Sequence, residues 1–334
     1  MKISVVIPAY NASGTIEATI ESVLRQTLPP DEILVLDDGS TDETASIVRS
    51  YEPRITLFHQ PNGGVASALN WLCQHAQGDV VAILGADDIW HPRYLEVQWR
   101  LYGEYPAAAA IFTGHIDFCG SDKYEWDFDP LDTQAEIELI PPLKFLRRYN
   151  AAPGAFANMS HCCIRKRVFE ALGKQVFQLR MAEDLYFFNR LILTVPGPVV
   201  YDHTRLTAYR IREGSLSSNR LVLNEAEVRA FELLETEFRE SPDIRLVRVF
   251  REGFATKRRQ FAKVLLGVGR IDDARRQLWS SCDGVRDPKS LTKSLGLIFL
   301  SFLPKALQPT WPPAFRDLEA QNAGQTKGSI QGNS

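Results

Sequence analysis

The sequence predicts an α/β fold, in which a mostly parallel sheet is flanked by helices and followed by a C-terminal helical extension. Strand and helix patterns alternate through the first 84 residues, and a β-α-β order places successive strands in parallel. The fourth strand, residues 80–84, is apolar throughout, as expected of a strand that is buried on both faces. From residue 219 onward the pattern is helical, and this predicts the extension.

Each element follows from a local pattern. Short apolar runs predict the strands, and apolar residues three and four positions apart predict the helices. Ser40 and Glu43 have the S-x-x-E spacing of a capping box, which predicts that a helix begins there. The predicted strands are 3–7, 32–36, 55–58, 80–84 and 107–112, and the predicted helices are 16–24, 40–51, 65–76, 185–193, 221–238, 244–266 and 271–279.

The composition is that of a globular protein with an uneven charge distribution. Hydrophobic residues make up 45% and charged residues 24%, and the net charge is −3. Residues 243–305, however, contain 14 Lys and Arg against 6 Asp and Glu. Because no nucleic-acid motif accompanies this basic region, we expect an anionic lipid surface rather than nucleic acid as its partner.

Several features of the chain predict a cytoplasmic protein. The five cysteines have neither zinc-site spacing nor an even count, so we expect reduced thiols. The apolar run 3–9 is too short for a secretion signal and is interrupted by Tyr10 and Asn11. No stretch of the sequence reaches the length that a membrane span needs.

Polar residues follow each of the first four strands. These turns are residues 10–11, 37–40, 62–64 and 87–88. In an open parallel sheet, ligands bind beyond the carboxyl ends of the strands. The joint position of the four turns therefore predicts a binding site on one edge of the sheet.

Two acidic pairs predict metal-assisted chemistry on a phosphorylated substrate. Asp87 and Asp88 follow a buried strand, where ionised groups are unfavourable unless a cation compensates them. Their carboxylate oxygens suit Mg²⁺ or Mn²⁺, which also bind phosphate oxygens. Glu183 and Asp184 open an apolar helical pattern and offer a candidate general base. A purely structural role, as caps or charges of the following helix, stays open for each acidic run.

Taken in order, these motifs resemble the family 2 glycosyltransferases, which have the GT-A fold. The segments that carry the resemblance are 4–11, 20–27, 33–42, 62–64, 85–88 and 182–185. No single motif is specific, but the ordered set extends over nearly two-thirds of the chain. The resemblance implies an inverting enzyme of cell-surface polysaccharide synthesis. It would transfer a sugar from a nucleotide-sugar donor, most often a UDP-sugar, to a glycan or lipid-linked acceptor.

The resemblance also implies a role for each candidate residue. Asp88 and Asp87 would bind the Mg²⁺ or Mn²⁺ ion that bridges the donor diphosphate. Asp184 would take the proton from the acceptor hydroxyl, with Glu183 as the alternative base. The nucleotide-sugar-binding candidates are Pro8, Ala9, Tyr10, Asp37, Asp38, Asn62, Gly64, Asp87 and Arg212.

Two positions depart from the family pattern. Gly85 stands where the family often has an Asp, which would leave only the adjacent pair Asp87 and Asp88 for the metal. Arg212 stands where the family often has a His. Because a guanidinium grips phosphate but cannot ligate a cation, we expect Arg212 to bind the diphosphate.

The predicted organisation has three parts. Residues 1–218 form the catalytic domain, with a nucleotide-sugar half of about 1–115 and an acceptor half of about 116–218. Residues 219–316 form a basic helical region, and residues 317–334 a disordered tail. The apolar segment 290–307, which has lysines at both ends, is either a peripheral membrane anchor or a terminal helix packed on the core.

Other functions stay open at this point. A sugar nucleotidyltransferase would ordinarily need a basic glycine-rich loop after the first strand, and residues 8–15 contain no Lys or Arg. A degenerate sugar-nucleotide-binding module is disfavoured because both Asp88 and Asp184 are present. A dinucleotide oxidoreductase lacks its G-x-G-x-x-G motif here. The sugar, the acceptor, the linkage and the oligomeric state do not follow from the sequence.

Overall fold

The computed structural model describes residues 1–120, 124–126, 136–151, 157–173, 176–195, 197–212, 219–239, 241, 243–283, 285, 287–303 and 309. Its strands are β1 (Ile3–Ala9), β2 (Glu32–Asp37), β3 (Thr56–His59), β4 (Val80–Ile83), β5 (Ile89–Trp90), β6 (Ala110–Cys119), β7 (Ile137–Ile140), β8 (Cys162–Arg165) and β9 (Val199–Ile211). Its helices are α1 (Ile16–Leu24), α2 (Thr44–Arg49), α3 (Val65–His75), α4 (Tyr94–Glu104), α5 (Pro142–Ala151), α6 (Lys166–Leu172), α7 (Glu183–Thr194), α8 (Arg220–Phe238), α9 (Ile244–Gly267), α10 (Ile271–Ser280) and α11 (Pro288–Ser301). The predicted alternation of strands and helices is confirmed.

The strands form one mixed sheet in the order β3-β2-β1-β4-β8-β6-β9-β5, with β7 paired to β9. β1 pairs in parallel with β2 and β4, and β2 pairs in parallel with β3. Since β2 and β3 lie on one side of β1 and β4 lies on the other, the winding reverses between β1 and β4. Such a reversal leaves a crevice at the carboxyl ends of the strands, where ligands bind in open α/β sheets.

The other half of the sheet brings a distant strand over this crevice. β8 runs antiparallel between β4 and β6, and β6 pairs in parallel with β9. The two-residue strand β5 pairs Ile89 with Ala208 and Trp90 with Thr207 of β9. Because β5 begins directly after Asp88, this pairing holds the end of β9 beside the acidic pair.

The two faces of the sheet are covered by different helices. One core contains residues of α1, α2 and α4, among them Ile20 and Leu95. The other contains residues of α3, α5 and α7 together with residues of α8 to α11. Phe231 of α8 stacks on Phe254 of α9, with 5.3 Å between ring centroids, inside this second core. The core therefore continues past residue 218, where the catalytic domain is predicted to end.

The prediction of a capping box was wrong. Helix α2 begins at Thr44, its N-cap is Glu43, and neither cap bond of the box is formed. The Ser40 hydroxyl instead accepts a hydrogen bond of 2.9 Å from the backbone N–H of Asn11. The Ser40 side chain thus joins the loop after β2 to the loop after β1, and helix α2 begins four residues after Ser40.

The helices predicted after residue 219 are confirmed as α8, α9 and α10, and α11 follows them. Residues 304–307 of the predicted anchor and the predicted tail 317–334 lie outside the described residues. Within the part of the chain that is described, no helix combines the length and apolar character needed to cross a membrane.

Candidate active site

A cavity of about 620 Å³ opens at the crevice between β1 and β4. It extends from the ends of these strands to the first turn of α7 and to α8. The predicted site residues that line it are Pro8, Asp87, Asp88, Glu183, Asp184 and Arg212. The structure thus brings the two acidic pairs, nearly a hundred residues apart in sequence, to the same cavity.

Asp38 organises the loop after β3. Its Oδ1 accepts hydrogen bonds from the Gln60 side chain at 2.6 Å and from the Gly63 N–H at 2.9 Å. Its Oδ2 accepts from the Gly64 N–H at 2.8 Å. Gly64 has a φ of 84°, a conformation that favours glycine. The buried carboxylate of Asp38 therefore fixes the backbone at Gly64, another residue predicted to bind the donor.

Asp37 and Asn11 tie the loops after β1 and β2 in the same way. Asp37 accepts from the Ser40 N–H at 3.0 Å and contacts His59 Nδ1 at 2.9 Å. Asn11 Oδ1 accepts from the Thr41 N–H at 2.8 Å. The loops on this edge are therefore held by hydrogen bonds between side chains and backbone. The predicted contact of Asp37 or Asp38 with the base or ribose stays a prediction.

The residues at the end of β1 alternate between the cavity and the core. Pro8 lines the cavity, Ala9 is buried in the core, and Tyr10 is 49% exposed. The Ala9 carbonyl accepts a hydrogen bond of 2.8 Å from the Asp38 N–H. Side-chain contacts with a donor are therefore open to Pro8 and Tyr10, whereas the Ala9 methyl group is turned away. Asn62 is exposed and is not one of the residues that line the cavity.

Asp88 is a buried carboxyl group at the end of β4. Its Oδ1 accepts a hydrogen bond of 2.9 Å from the backbone N–H of Arg210 on β9. Burial, and then the charge of Asp87, raise the pKa of Asp88 to about 8. An ionised Asp88 is thus unfavourable without a nearby cation, because burial penalises the charged form.

Gly85 provides the space in which the acidic pair sits. A Cβ atom at this position would lie 3.0 Å from Asp88 Oδ2 and 3.2 Å from Asp87 Oδ1. It would also lie 3.2 Å from Oγ of Ser160, which accepts a hydrogen bond of 3.0 Å from the Gly85 N–H. A side chain at position 85 would therefore be tightly packed against both carboxylates, which would have to move by a few tenths of an ångström.

Asp87 forms an ion pair with Arg212, with 2.6 Å between Oδ2 and Nη2. The two adjacent carboxylates fit Mg²⁺ or Mn²⁺ in their chemistry, since they offer hard oxygens and Asp88 needs a compensating cation. No cluster of three or more His, Cys, Asp or Glu side chains that could hold a metal occurs among the residues with described positions. Water and substrate oxygens would have to supply the remaining ligands.

Glu183 and Asp184 form the first turn of α7, as predicted. Ala182, the residue before them, has a φ of 60°, a strained conformation for alanine that is found disproportionately at functional sites. Burial, and then Asp184, raise the pKa of Glu183 to about 8, and burial also raises the pKa of Asp184. Ionisation of one of these carboxyl groups therefore disfavours ionisation of the other.

Sequence reasoning missed several residues of the cavity. Ser160, in a short 3₁₀ turn, binds Gly85 through its side chain and accepts from Trp90 Nε1 at 2.6 Å through its carbonyl. Glu227 of α8 lines the cavity and pairs with Lys257 of α9 at 2.6 Å. None of these residues belongs to a local motif, so the sequence carried no signal for them.

A stacked pair of histidines adjoins the cavity. His115 lines the cavity, and its ring stacks on that of His161 with 4.6 Å between centroids. Burial lowers the pKa of His115, and burial followed by the charge of His115 lowers the pKa of His161 to about 3. Both rings are therefore neutral at pH 7.

The strand order, the carboxylates at the crevice and the second acidic pair together define an α/β protein of the GT-A type. The model of the family "Glycosyl transferase family 2" matches residues 4–173. The chain belongs to this family and is a glycosyltransferase, which confirms the resemblance seen in the sequence.

Curated relatives are glycosyltransferases of several bacteria. The putative teichuronic acid biosynthesis glycosyltransferase TuaG of Bacillus subtilis is 40% identical over 227 residues, which are 65% of this chain and 82% of TuaG. The succinoglycan biosynthesis protein ExoW of Rhizobium meliloti is 29% identical over 60% of this chain and 66% of ExoW. Glycosyltransferase GlyA of Streptococcus pneumoniae is 28% identical over 65% of this chain, but the match spans only 31% of GlyA.

Solved structures share the fold. TarS residues 1–349 of S. aureus, in complex with UDP-GlcNAc, gives a TM-score of 0.67 at 16% identity, with 90% of each chain covered. A mannosyltransferase of Pyrobaculum calidifontis, in complex with GDP-Man and Mn²⁺, gives 0.53 at 18% identity and covers 91% of this chain and 81% of its own. At these identities the likeness concerns the GT-A fold.

Proposed function

We propose that this glycosyltransferase transfers one sugar from a UDP-sugar to a lipid-linked glycan, with inversion at the anomeric carbon. The observation that carries the proposal is the shared cavity, which is lined both by Asp87 and Asp88 after β4 and by Glu183 and Asp184 in the first turn of α7. A displacement needs two such acidic groups, one for the leaving group (the donor end of the cavity) and one for the attacking hydroxyl (the acceptor end). The names of TuaG and ExoW support a role in cell-surface polysaccharide synthesis.

On the donor side, Pro8 and Tyr10 contact the base, and Asp37 or Asp38 accepts hydrogen bonds from the base or ribose. Asn62 and Gly64 contact the nucleotide from the loop that Asp38 holds in place. Arg212 leaves Asp87 to bind the diphosphate through its guanidinium group. A uridine donor is supported by the TarS complexes with UDP-GlcNAc and UDP, which share this fold.

A divalent cation held by Asp88 and Asp87 would neutralise charge that develops on the leaving diphosphate. The complex of the Pyrobaculum mannosyltransferase with Mn²⁺ supports such a cation, as does the raised pKa of Asp88. Ser160 and the Arg210 backbone N–H both hydrogen-bond to the Asp88 carboxylate and keep it in place.

On the acceptor side, Asp184 is the general base, and Glu183 is the alternative. The acceptor oxygen forms a bond to the anomeric carbon while the bond from that carbon to the diphosphate oxygen breaks on the opposite face. The hydroxyl proton passes to the carboxylate, and the nucleoside diphosphate leaves with the electron pair. A base with a raised pKa suits this step, because proton transfer is best when that pKa lies near the working pH.

The first test is a thermal-shift screen with UDP-, dTDP- and GDP-sugars, each with and without Mn²⁺ or Mg²⁺. A ligand that binds only the native state raises the melting temperature by mass action. We expect a metal-dependent rise with UDP-sugars that is lost in Asp88→Ala and kept in the matched acceptor-side variant Asp184→Asn. No rise with any nucleotide would mean that the donor site does not bind a nucleotide-sugar and would overturn the proposal.

Helix α11 is the part of the chain that supports a membrane-bound acceptor. Its inner face consists mainly of serines: Ser290, Ser294 and Ser301 are buried, together with Ile298. Its outer face is apolar instead, with Leu295 47%, Phe299 68% and Phe302 60% exposed. Lys289 and Lys293 flank this face, and no acidic residue occurs in the helix. An apolar face with basic flanks suits peripheral binding to an anionic bilayer from the cytoplasmic side.

Vesicle co-sedimentation tests the membrane contact. We expect the full chain to pellet with phosphatidylglycerol vesicles and to stay in solution with phosphatidylcholine vesicles. Replacing Leu295, Phe299 and Phe302 by Ser abolishes pelleting, whereas Trp99→Ser on α4, equally exposed at 49%, leaves it unchanged. A wild-type chain that does not pellet removes the membrane contact and leaves the transferase chemistry standing.

A further inference from the structure

The C-terminal helices complete the acceptor end of the cavity with a buried ion pair. Glu227 of α8 lines the cavity together with Asp184, and its Oε1 accepts a hydrogen bond from Lys257 Nζ of α9 at 2.6 Å. The two side chains are only 11% and 4% exposed. Burying such a pair desolvates both charges, and apolar residues of similar volume would often be at least as stable. Stability alone is therefore a weak reason for this pair.

The packing of the helices fixes the pair relative to α7. Asn150 of α5 and Asn189 of α7 exchange two side-chain hydrogen bonds of 2.9 Å, and Asn189 also donates to the Leu185 carbonyl. Gly253 of α9 lies directly on Asn150, since a Cβ there would be 2.9 Å from Nδ2. Lys257 follows one helical turn later, so its ammonium group has a set position near the first turn of α7.

We propose that Glu227 and Lys257 form a positioning pair that sets the proton affinity of Asp184. Glu227 strengthens Asp184 as a base, and Lys257 limits this effect so that an ionised fraction remains at neutral pH. Neither residue is a catalytic residue, because both act through Asp184. The inference rests on the role proposed above for Asp184.

The electrostatic surroundings of Asp184 agree with this geometry. The titratable and charged groups that face it are Glu183 on α7, Tyr149 on α5, Glu227 on α8, Lys257 on α9 and Tyr209 on β9. Burial is the main cause that raises the pKa of Asp184; Glu227 raises it further and Lys257 opposes the rise. Burial, and then Asp184, hold the pKa of Tyr149 well above its ordinary value, so this hydroxyl stays protonated.

The Leu185 amide offers a direct reporter, because its N–H donates to Asp184 Oδ1 at 2.7 Å. In the full chain labelled with ¹⁵N-leucine, the Leu185 resonance is assigned by its loss in Leu185→Ile. Its chemical shift is then followed against pH. We expect Glu227→Gln to lower the titration midpoint and Lys257→Met to raise it, each by about one pH unit. In the double variant, which removes both charges, we expect the titration midpoint to lie close to that of the wild type.

Arg190 and Glu237 provide the matched control, since they also join α7 to α8, at 2.9 Å, but nearer the surface. Arg190→Met and Glu237→Gln leave the midpoint unchanged. A purely structural pair would shift the midpoint in the same direction in both single variants, or not at all, and either result overturns the proposal. If Lys257→Met does not fold, Glu227→Gln and the double variant still test the proposal. Both replace Glu227, so neither variant buries the Glu227 carboxylate without its lysine partner.

This titration needs neither donor nor acceptor, so it fails or succeeds separately from the proposed function. With a UDP-sugar, the pH profile of slow donor hydrolysis gives a second readout. We expect the acidic limb of this rate profile to shift in each variant by the same amount as the titration midpoint of the Leu185 amide. A wild-type chain that binds no nucleotide would overturn the proposed function and leave the electrostatic coupling intact.

Discussion

The two ends of the cavity are built in different ways. The proposed donor end consists of loops within residues 8–88 and of the end of β9 with Arg212. Side-chain carboxylates and amides hold the loop backbones, as Asp38 holds Gly63 and Gly64. The acceptor end consists of helices that lie between residues 142 and 267 of the chain, and its ionisable groups interact with one another, as Glu227 does with Lys257.

We therefore expect the donor end to determine the shape of the binding site and the acceptor end to determine the protonation of its carboxyl groups. At the donor end the hydrogen bonds hold loop backbones in place and define a shape, so substitutions there should change binding and stability. At the acceptor end buried charges determine which carboxyl group carries a proton, so substitutions should change the rate and its pH dependence. The following predictions test whether the two ends can be changed separately.

The largest expected effect is on turnover. Asp184→Asn removes the base, and we expect kcat to fall by about 10²- to 10⁴-fold. The donor-induced thermal shift should stay close to that of the wild type, because the change is at the acceptor end. Release of UDP measures the first quantity. If the larger loss occurs in Glu183→Gln, Glu183 is the base; if donor binding is lost too, the two ends are not separable.

The next effect is on stability. Asp38→Ala leaves the N–H groups of Gly63 and Gly64 without their acceptor, so the free energy of unfolding should fall by about 1 to 3 kcal/mol. Urea unfolding measures this change, and Asp38→Asn, which keeps one carbonyl acceptor, should lie between. Donor affinity should fall with stability in the folded protein. An unchanged unfolding midpoint would mean that the loop does not depend on Asp38.

Arg212 allows a sharper test of the donor end. Arg212→Ala should weaken the binding of a UDP-sugar about tenfold, which corresponds to about 1.4 kcal/mol, because the diphosphate loses its guanidinium contact. Arg212→Lys should recover only part of the affinity, since an ammonium group cannot bind in a bidentate manner. Equilibrium titration measures both. Unchanged donor affinity in Arg212→Ala would mean that Arg212 does not bind the diphosphate and only pairs with Asp87.

The stability of the protein should also depend on pH through Glu183. The pKa of Glu183 is raised from 4.5 to about 8 in the folded protein, so folding favours its protonated form. Its contribution is therefore fully present below about pH 4.5 and is lost as the pH rises to about 8. Urea unfolding between these limits should show a smaller decrease in Glu183→Gln than in the wild type. Parallel curves would argue that Glu183 is not the proton-bearing group.

The sequence by itself determined the parallel half of the sheet, the polar turns at its edge and the start of α7 at Glu183. These features depend on local patterns: apolar periodicity, turn residues and acidic residues at a helix start. The capping box failed because Ser40 is used by Asn11, a contact 29 residues away that periodicity does not encode.

Only the tertiary structure decided what surrounds the two acidic pairs. The room that Gly85 leaves, the Ser160 hydroxyl and the Arg210 N–H on Asp88 depend on strands and turns that meet far from one another in sequence. Lys257 lies in a basic run that a sequence interpretation assigns to the surface, yet it is buried against Glu227. The physical reason is that charge and burial are set by packing, and packing across long sequence separations leaves no local pattern.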